Sequence, residues 1–507
     1  MTLKKISSKP ELEKVVSAFE EQSGLKEIKY EVKDRSDGSL LILQVINPTD
    51  RYFKILANIL KEIPLEDFPT PTLKKWAPLN RLQCPETKFF IRTLSESLNI
   101  NRFSFKDEFF SRYTPSVSNA EAQIVANTNH IVYGRRGAGK SSLLLYALRK
   151  REKDGFHSAW IDMQTYEKRG DNKVAIEIIS SIIEQTSLNT AASVEYASIK
   201  SQLERYKKEE VILSDDEMRK FLPRIRQALS LLNTNLFIFL DDFHLLDYAF
   251  QANFLGFIYS IARGNKVFLK ISAIETLTKA WDAGTRSGLQ VPHDAQTIKL
   301  DYNLTSPDMA QKHIEGILDT HAKYCGLPSI GFLCTDNKVL SRLVWVSAGV
   351  PRDALNMFTQ AISKAVTAGH KRVSITDINM AASEMVSQKQ RDVEIDTPNL
   401  DTETSLEAML ENIKDFCIKQ QHKNAFLVEI RKDSTIYKPI LELVDLRLVH
   451  VISEGITVGD AGRKYLGLIL DYGFYTGIRA AQSVDLFNKQ TERVKYKELR
   501  SLPIFNG

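Results

Sequence analysis

Gly134-Arg135-Arg136-Gly137-Ala138-Gly139-Lys140-Ser141 fits the phosphate-binding loop pattern G-x-x-x-x-G-K-[ST], and it stands between an apolar run, His130 to Tyr133, and a helical run, Ser142 to Leu148. Glycines at this spacing let successive backbone N–H groups converge on phosphate oxygens, and the helix N-terminus behind them favours anions. Lys140 supplies a mobile charge for the terminal phosphates and Ser141 a hydroxyl that can ligate Mg²⁺. The loop from Gly134 to Ser142, with Arg135 and Arg136, is therefore the candidate nucleotide cradle.

The pattern recurs by chance, so a partner motif is needed, and Leu236-Phe237-Ile238-Phe239-Leu240-Asp241-Asp242 supplies it. An unbroken apolar run suits a strand buried on both faces of a parallel sheet. Carboxylates at the C-terminal end of such a strand sit where α/β sheets bind ligands. Asp241 is the candidate metal residue, acting through water on Mg²⁺, and Asp242 the candidate that polarises the attacking water.

At 507 residues the chain should hold about three domains, taking roughly 150 residues for each. With 43% apolar and 26% charged residues it has an ordinary globular composition. No apolar stretch is long enough to span a membrane, and Met1 to Leu12 lacks an apolar core, so a cytoplasmic protein without a membrane partner is expected. The four cysteines, Cys84, Cys325, Cys334 and Cys417, show no metal-ligand spacing. A net charge of +5 is too mild in a chain of this length to argue for nucleic acid, which leaves that argument to local clusters.

Five strands, Ile131–Tyr133, Ser158–Ile161, Leu236–Leu240, Val267–Ala273 and Ala295–Leu300, alternate with helical stretches and predict a parallel sheet covered on both sides. The predicted division has a small α+β interaction domain at 1–105, the α/β domain at 106–304, a helical lid at 305–388, a linker at 389–402 broken by Pro398, and a C-terminal domain with a basic tail at 403–507. The N-terminal part reads as a helix, Pro10 to Gln22, then a hairpin turned at Ser36-Asp37-Gly38, then a helix, Arg51 to Glu62. Thr190 to Lys220 reads as two solvated helices. The C-terminal part, Leu406–Gln420, Ala425–Arg431 and Tyr437–Leu446 before an apolar hairpin with its turn at Gly455–Gly462, has the helix-helix-helix-hairpin order of a winged helix.

These residues resemble AAA+ ATPases of the origin-recognition-like clade. Beyond the nucleotide motifs, the likeness is carried by Gly349-Val350-Pro351-Arg352-Asp353-Ala354-Leu355, similar to that clade's Gly-x-Pro-Arg second sensor. It is carried also by Val373-Ser374-Ile375-Thr376-Asp377-Ile378-Asn379, similar to the segment opening the lid's closing helix, and by the winged helix. The resemblance spans about Lys106 to Asp471 and implies ATP as the nucleotide. It implies a first sensor at Ser272, with Thr276 behind it, and an arginine finger at Arg286, the only arginine between the fourth and fifth strands, where Lys279 is also cationic. Arg352 opens a helix after Pro351, from which a guanidinium can reach a γ-phosphate. Where the family has a glutamate after the first aspartate this chain has Asp242, one methylene shorter, which predicts slow hydrolysis.

The implied function is an ATP-dependent switch that binds duplex DNA through the winged helix and assembles as a homo-oligomer or recruits partners. Phosphate-contacting charge is expected from Arg463, Lys464, Lys489, Arg493, Lys495, Lys497 and Arg500, with Lys438 on the reading helix. Leu240 to Leu246, with His244 beside Asp242, also looks like the Asp-Asp-aromatic-His stretch of STAND signalling ATPases. That keeps open a sensor, as in bacterial antiviral defence or mobile elements, acting through protein partners with a separate effector. No nuclease or zinc constellation appears in the chain, so any cutting belongs to another protein.

Overall fold

In the computed structural model the two ends of the chain meet in one unit, residues 1–99 with 302–507, while 100–301 forms another. The structure describes residues 10–35, 38–65, 69–186, 193–208, 223–227, 229, 234–300, 304, 306–396, 400–431, 434–458, 462–476, 484–487 and 494–507. Among them no helix is long and apolar enough to cross a membrane. Of the predicted hairpin turn, Ser36 and Asp37 lie outside the described residues, as do Pro398 and much of Thr190–Lys220, where one helix, Ser193–Lys208, is described.

In the first unit, β1 (Lys29–Arg35) pairs antiparallel with β2 (Gly38–Val45), which pairs parallel with β3 (Thr72–Lys75). Alternation along β2 turns Leu41, Leu43 and Val45 into a core with the helices Pro10–Ser23, Asp50–Glu62 and Pro85–Leu98. The same core takes in Ile314, Leu318, Phe358 and Ile362 of the lid helices Pro307–Tyr324 and Pro351–Thr367. The N-terminal layer and the lid are thus one packed body. Polar contacts bind it further, with Tyr52 Oη donating to Cys325 O at 2.8 Å and Ser97 Oγ meeting His321 Nε2 at 3.1 Å.

In the second unit, β4 (His130–Tyr133), β5 (His157–Asp162), β6 (Leu236–Asp241), β7 (Val267–Ala273) and β10 (Gln296–Lys299) form the expected parallel sheet, in the order β10-β4-β7-β6-β5. The strands β8 (Trp281–Asp282) and β9 (Ser287–Gly288) make a separate hairpin. The period-2 geometry sends alternate side chains into two cores. Ile131, Ile238 and Leu240 join one with the helices Asn172–Thr186 and Tyr248–Ala262; Val132, Phe237 and Phe239 join the other with the helix Lys140–Lys153.

The C-terminal residues form β11 (Ala425–Glu429), β12 (Val449–Ile456) and β13 (Tyr465–Leu470), an antiparallel sheet in the order β11-β13-β12. Ala425–Glu429 is a strand, where the helix-helix-helix-hairpin order expects the short segment Ala425–Arg431 to be the middle helix. Its four leading residues are all buried, and it pairs residue for residue with β13, an arrangement a helix cannot offer to a sheet edge. The predicted linker differs too, since residues 389–396 continue the helix Ile375–Asp396 and Leu400 already opens the next, Leu400–Lys414.

Candidate nucleotide site

The phosphate loop follows β4 and ends at Gly139, whose φ of 94° places it in the left-handed region just before Lys140 opens its helix. Space around its Cα is open, so the requirement for glycine there is conformational. Gly134 is constrained by packing: an added Cβ would lie 3.2 Å from the Ala138 Cβ and 3.4 Å from that of Leu300. Lys140 is buried, its Nζ donating to the carbonyls of Gly134 at 2.9 Å and Arg135 at 3.2 Å. Arg136 is exposed, and Ser142 lies half-buried in the first turn of the helix.

Strand order decides what meets this loop. With β7 between β4 and β6, the C-terminal ends of all three converge, and Asp241 Oδ1 accepts from Ser141 Oγ at 3.0 Å and from Ser272 Oγ at 2.5 Å. Burial, then the neighbouring charge of Asp242, pushes the Asp241 carboxyl up to about 6, against the two hydroxyl bonds and Lys140. A buried carboxylate oxygen and a serine hydroxyl sharing one spot make a hard-oxygen donor pair suited to Mg²⁺. The residues therefore fit that ion.

Ser272 is fully buried, and its hydroxyl is committed at both ends, donating to Asp241 and accepting from the Asp242 N–H at 2.8 Å. Its hydroxyl thus bridges the two aspartates at the position where the resemblance implies a first sensor. Asp242 itself sits at φ 55°, ψ 45°, a left-handed turn that aspartate tolerates better than most residues. Thr276 is exposed in the short turn after β7. His244, beyond Asp242, is lowered to about 4 by burial and stays a neutral imidazole.

Arg286 lies at φ 53° in the exposed turn between β8 and β9. The turn is built by Asp282, whose Oδ1 accepts from Gly284 N at 2.8 Å and whose Oδ2 takes Lys279 Nζ at 2.8 Å. Lys279 is thereby occupied, which leaves Arg286 as the exposed cation of the hairpin. The hairpin is seated on the helix Tyr248–Ala262 by two glycines, a feature the sequence reading missed. A Cβ on Gly256 would come within 2.9 Å of the Gly288 N, and one on Gly288 within 2.2 Å of Ala280 O. Arg352 belongs to the other unit, where it is exposed in the first turn of the helix Pro351–Thr367.

In the C-terminal domain two basic clusters that the sequence separates come together. Tyr496 Oη lies 3.4 Å from Thr457 N, which brings the short helix Tyr496–Arg500 to the end of the hairpin that carries Arg463 and Lys464. Lys495, Lys497, Arg500, Arg463 and Lys464 are all exposed, while Lys489 and Arg493 lie outside the described residues. On the helix Tyr437–Asp445, Lys438 is exposed 3.9 Å from Glu442.

A five-stranded parallel sheet with a glycine-rich loop after its first strand and a carboxylate pair at the end of its third is an α/β architecture. Solved structures with a similar fold include the Aeropyrum pernix ORC1 protein in complex with DNA, 17% identical over 76% of this chain and 95% of that one with a TM-score of 0.41. Drosophila ORC bound to DNA is 12% identical over 84% of this chain and 98% of that one, with a TM-score of 0.38. CDC6P from Pyrobaculum aerophilum is 14% identical over 76% and 98%, also with a TM-score of 0.38. No protein-family model and no curated protein matches the chain.

Proposed function

We propose that this chain is an ATP-binding, slowly hydrolysing AAA+-type switch that engages duplex DNA through its C-terminal domain and assembles with further copies in the ATP state. The observation that carries the reading is the single oxygen of Asp241 that receives hydroxyls from both Ser141 on the phosphate loop and Ser272 on β7. Backbone N–H groups of the loop and the N-terminus of the Lys140 helix bind the phosphates, and Lys140 exchanges two carbonyl acceptors for charged oxygens. Ser141 and Asp241 hold Mg²⁺, which when bound neutralises phosphate charge. Asp242 polarises the water; its short side chain makes turnover slow. Arg286 acts on a neighbouring copy's nucleotide, and Arg352 on the γ-phosphate of its own. The joined basic clusters contact the DNA backbone, with affinity that falls steeply as salt rises.

The test is steady-state ATP hydrolysis with and without duplex DNA, together with mass by light scattering, for wild type, Lys140→Ala and Arg286→Ala. Stimulation by DNA and ATP-dependent assembly should both vanish in Lys140→Ala. Mixing Lys140→Ala with Arg286→Ala should restore turnover, since one supplies the finger and the other the nucleotide. No binding of duplex DNA at low salt would remove the DNA part of the reading, and stimulation by a protein trigger alone would replace it.

A further inference from the structure

The lid and the C-terminal domain share a buried ionic cluster that plays no part in the steps above. Asp353, next in the chain after Arg352, is 5% exposed. Its Oδ1 accepts from the Arg447 guanidinium, and its Oδ2 lies 3.8 Å from Lys389 Nζ. Lys389 also donates to Asp471 Oδ2 at 2.8 Å and to the Arg447 carbonyl at 3.3 Å, and His450 Nε2 meets the same Asp471 oxygen at 2.9 Å. The cluster thus draws Asp353 from the Arg352 helix, Lys389 from the lid's closing helix, and Arg447, His450 and Asp471 from the C-terminal domain.

Backbone packing makes the same junction tight. A Cβ on Gly473 would come within 2.3 Å of Val386 Cγ2 and 2.6 Å of Ala382 O, so the C-terminal domain is seated on the closing helix with no room for a methyl group. Arg447 enters at φ 62°, a left-handed turn past the end of the helix Tyr437–Asp445, and that turn leads its chain back toward the lid's charges.

We propose that Asp353 and Arg447 are positioning residues that lock the C-terminal domain to the Arg352 turn of the lid, so that the lid and the basic DNA-facing surface respond to nucleotide as one body. The proposal rests on the reading of Arg352 as a γ-phosphate sensor. Arg352 and Asp353 are consecutive residues in the first turn of a helix, so a pull on one displaces the other. Asp353 cannot leave its place without stranding buried charges on both the closing helix and the C-terminal domain. The Arg447 side chain, which sequence places just past the reading helix, is occupied by the lid and is withdrawn from DNA contact.

The experiment uses the full chain and measures ATP turnover together with hydrogen exchange across β12 and β13 in ATP and in ADP. Wild type, Arg352→Ala, Arg447→Ala, Arg447→Lys and Asp353→Asn are compared, each checked for an intact thermal transition. In wild type, exchange across these strands should differ between ATP and ADP. Arg352→Ala and Arg447→Ala should both abolish the difference and lower kcat by roughly tenfold or more, the scale of a small misplacement at a reacting centre. Arg447→Lys, which keeps the charge, should retain it in part. If Arg447→Ala does not fold, Asp353→Asn carries the test with a smaller effect of the same sign. An ATP–ADP difference and kcat left as in wild type by both cluster variants, with Arg352→Ala removing them, would overturn the coupling alone. No effect of Arg352→Ala would overturn the sensor reading and the coupling with it.

Discussion

Asp241 and Asp471 are both buried aspartates at the C-terminal end of a strand, and their surroundings drive them in opposite directions. Asp241 has two serine hydroxyls and another carboxylate for neighbours, and burial raises its carboxyl to about 6. Burial would raise Asp471 as well, but Lys389 and His450 overcome it and hold the carboxyl well below its ordinary range. The difference separates a carboxylate with no cation bonded to it from one that carries its cation already. A carboxylate whose charge is balanced within the fold supports structure, whereas one left short of positive charge is available to a ligand.

The largest effect should come from removing the built-in cation. Lys389→Met strands Asp471 and should lower the unfolding free energy of the full chain by about 3–5 kcal/mol, read from urea denaturation. Asp241→Asn should leave it unchanged or raise it by no more than about 1 kcal/mol, since no cation is orphaned. Equal losses would erase the contrast. Next in size, Asp241→Asn should cut ATP turnover by about a hundredfold or more in a phosphate-release assay, while nucleotide still binds the loop.

Ser272→Ala tests whether that hydroxyl acts by holding the two aspartates. It should reduce turnover by about tenfold, in the range of a group that orients others, and Ser272→Thr should recover most of the loss. The smallest effect is one of pH. Asp471 is depressed in the folded state, so its contribution to stability is full above the ordinary aspartate value near 4 and is lost as pH falls below it. The difference in urea midpoint between wild type and Asp471→Asn should therefore shrink from pH 5 to pH 3, and a difference that grows on acidification would contradict the assignment. The groups facing Asp471 in this window are Lys389 and His450, with Asp353 and Arg447 behind them.

How much of this was legible in sequence follows from how local each signal is. The phosphate loop, the apolar strand ending in two aspartates and the five sheet strands are contiguous patterns, and all stand where they were read. Arg286 was singled out as a candidate by its interval between strands, but the seat of its hairpin depends on Gly256 and Gly288, two glycines that meet only in three dimensions. Ala425–Glu429 was misread because a short apolar run fits helix and strand alike until a pairing edge is supplied. The ionic cluster was invisible, since its five polar side chains come from separate elements, and each taken alone is an ordinary surface residue type. The N-terminal layer was read as independent because its own helices and hairpin are complete, and nothing in Tyr52 or Phe90 announces a partner beyond residue 302.

That shared core has a consequence for how the protein is made. The apolar face built by Leu41, Leu43, Val45 and Phe90 finds its lid partners only after the whole of residues 100–301 has left the ribosome. At about 5–20 residues per second, this leaves a sticky surface waiting for some 10–40 s, a long interval for a growing chain. The segment ahead of residue 100 is then buried long after it is made, and early protection by a chaperone would matter more for its yield than for that of residues 100–301, whose sheet closes within its own continuous stretch.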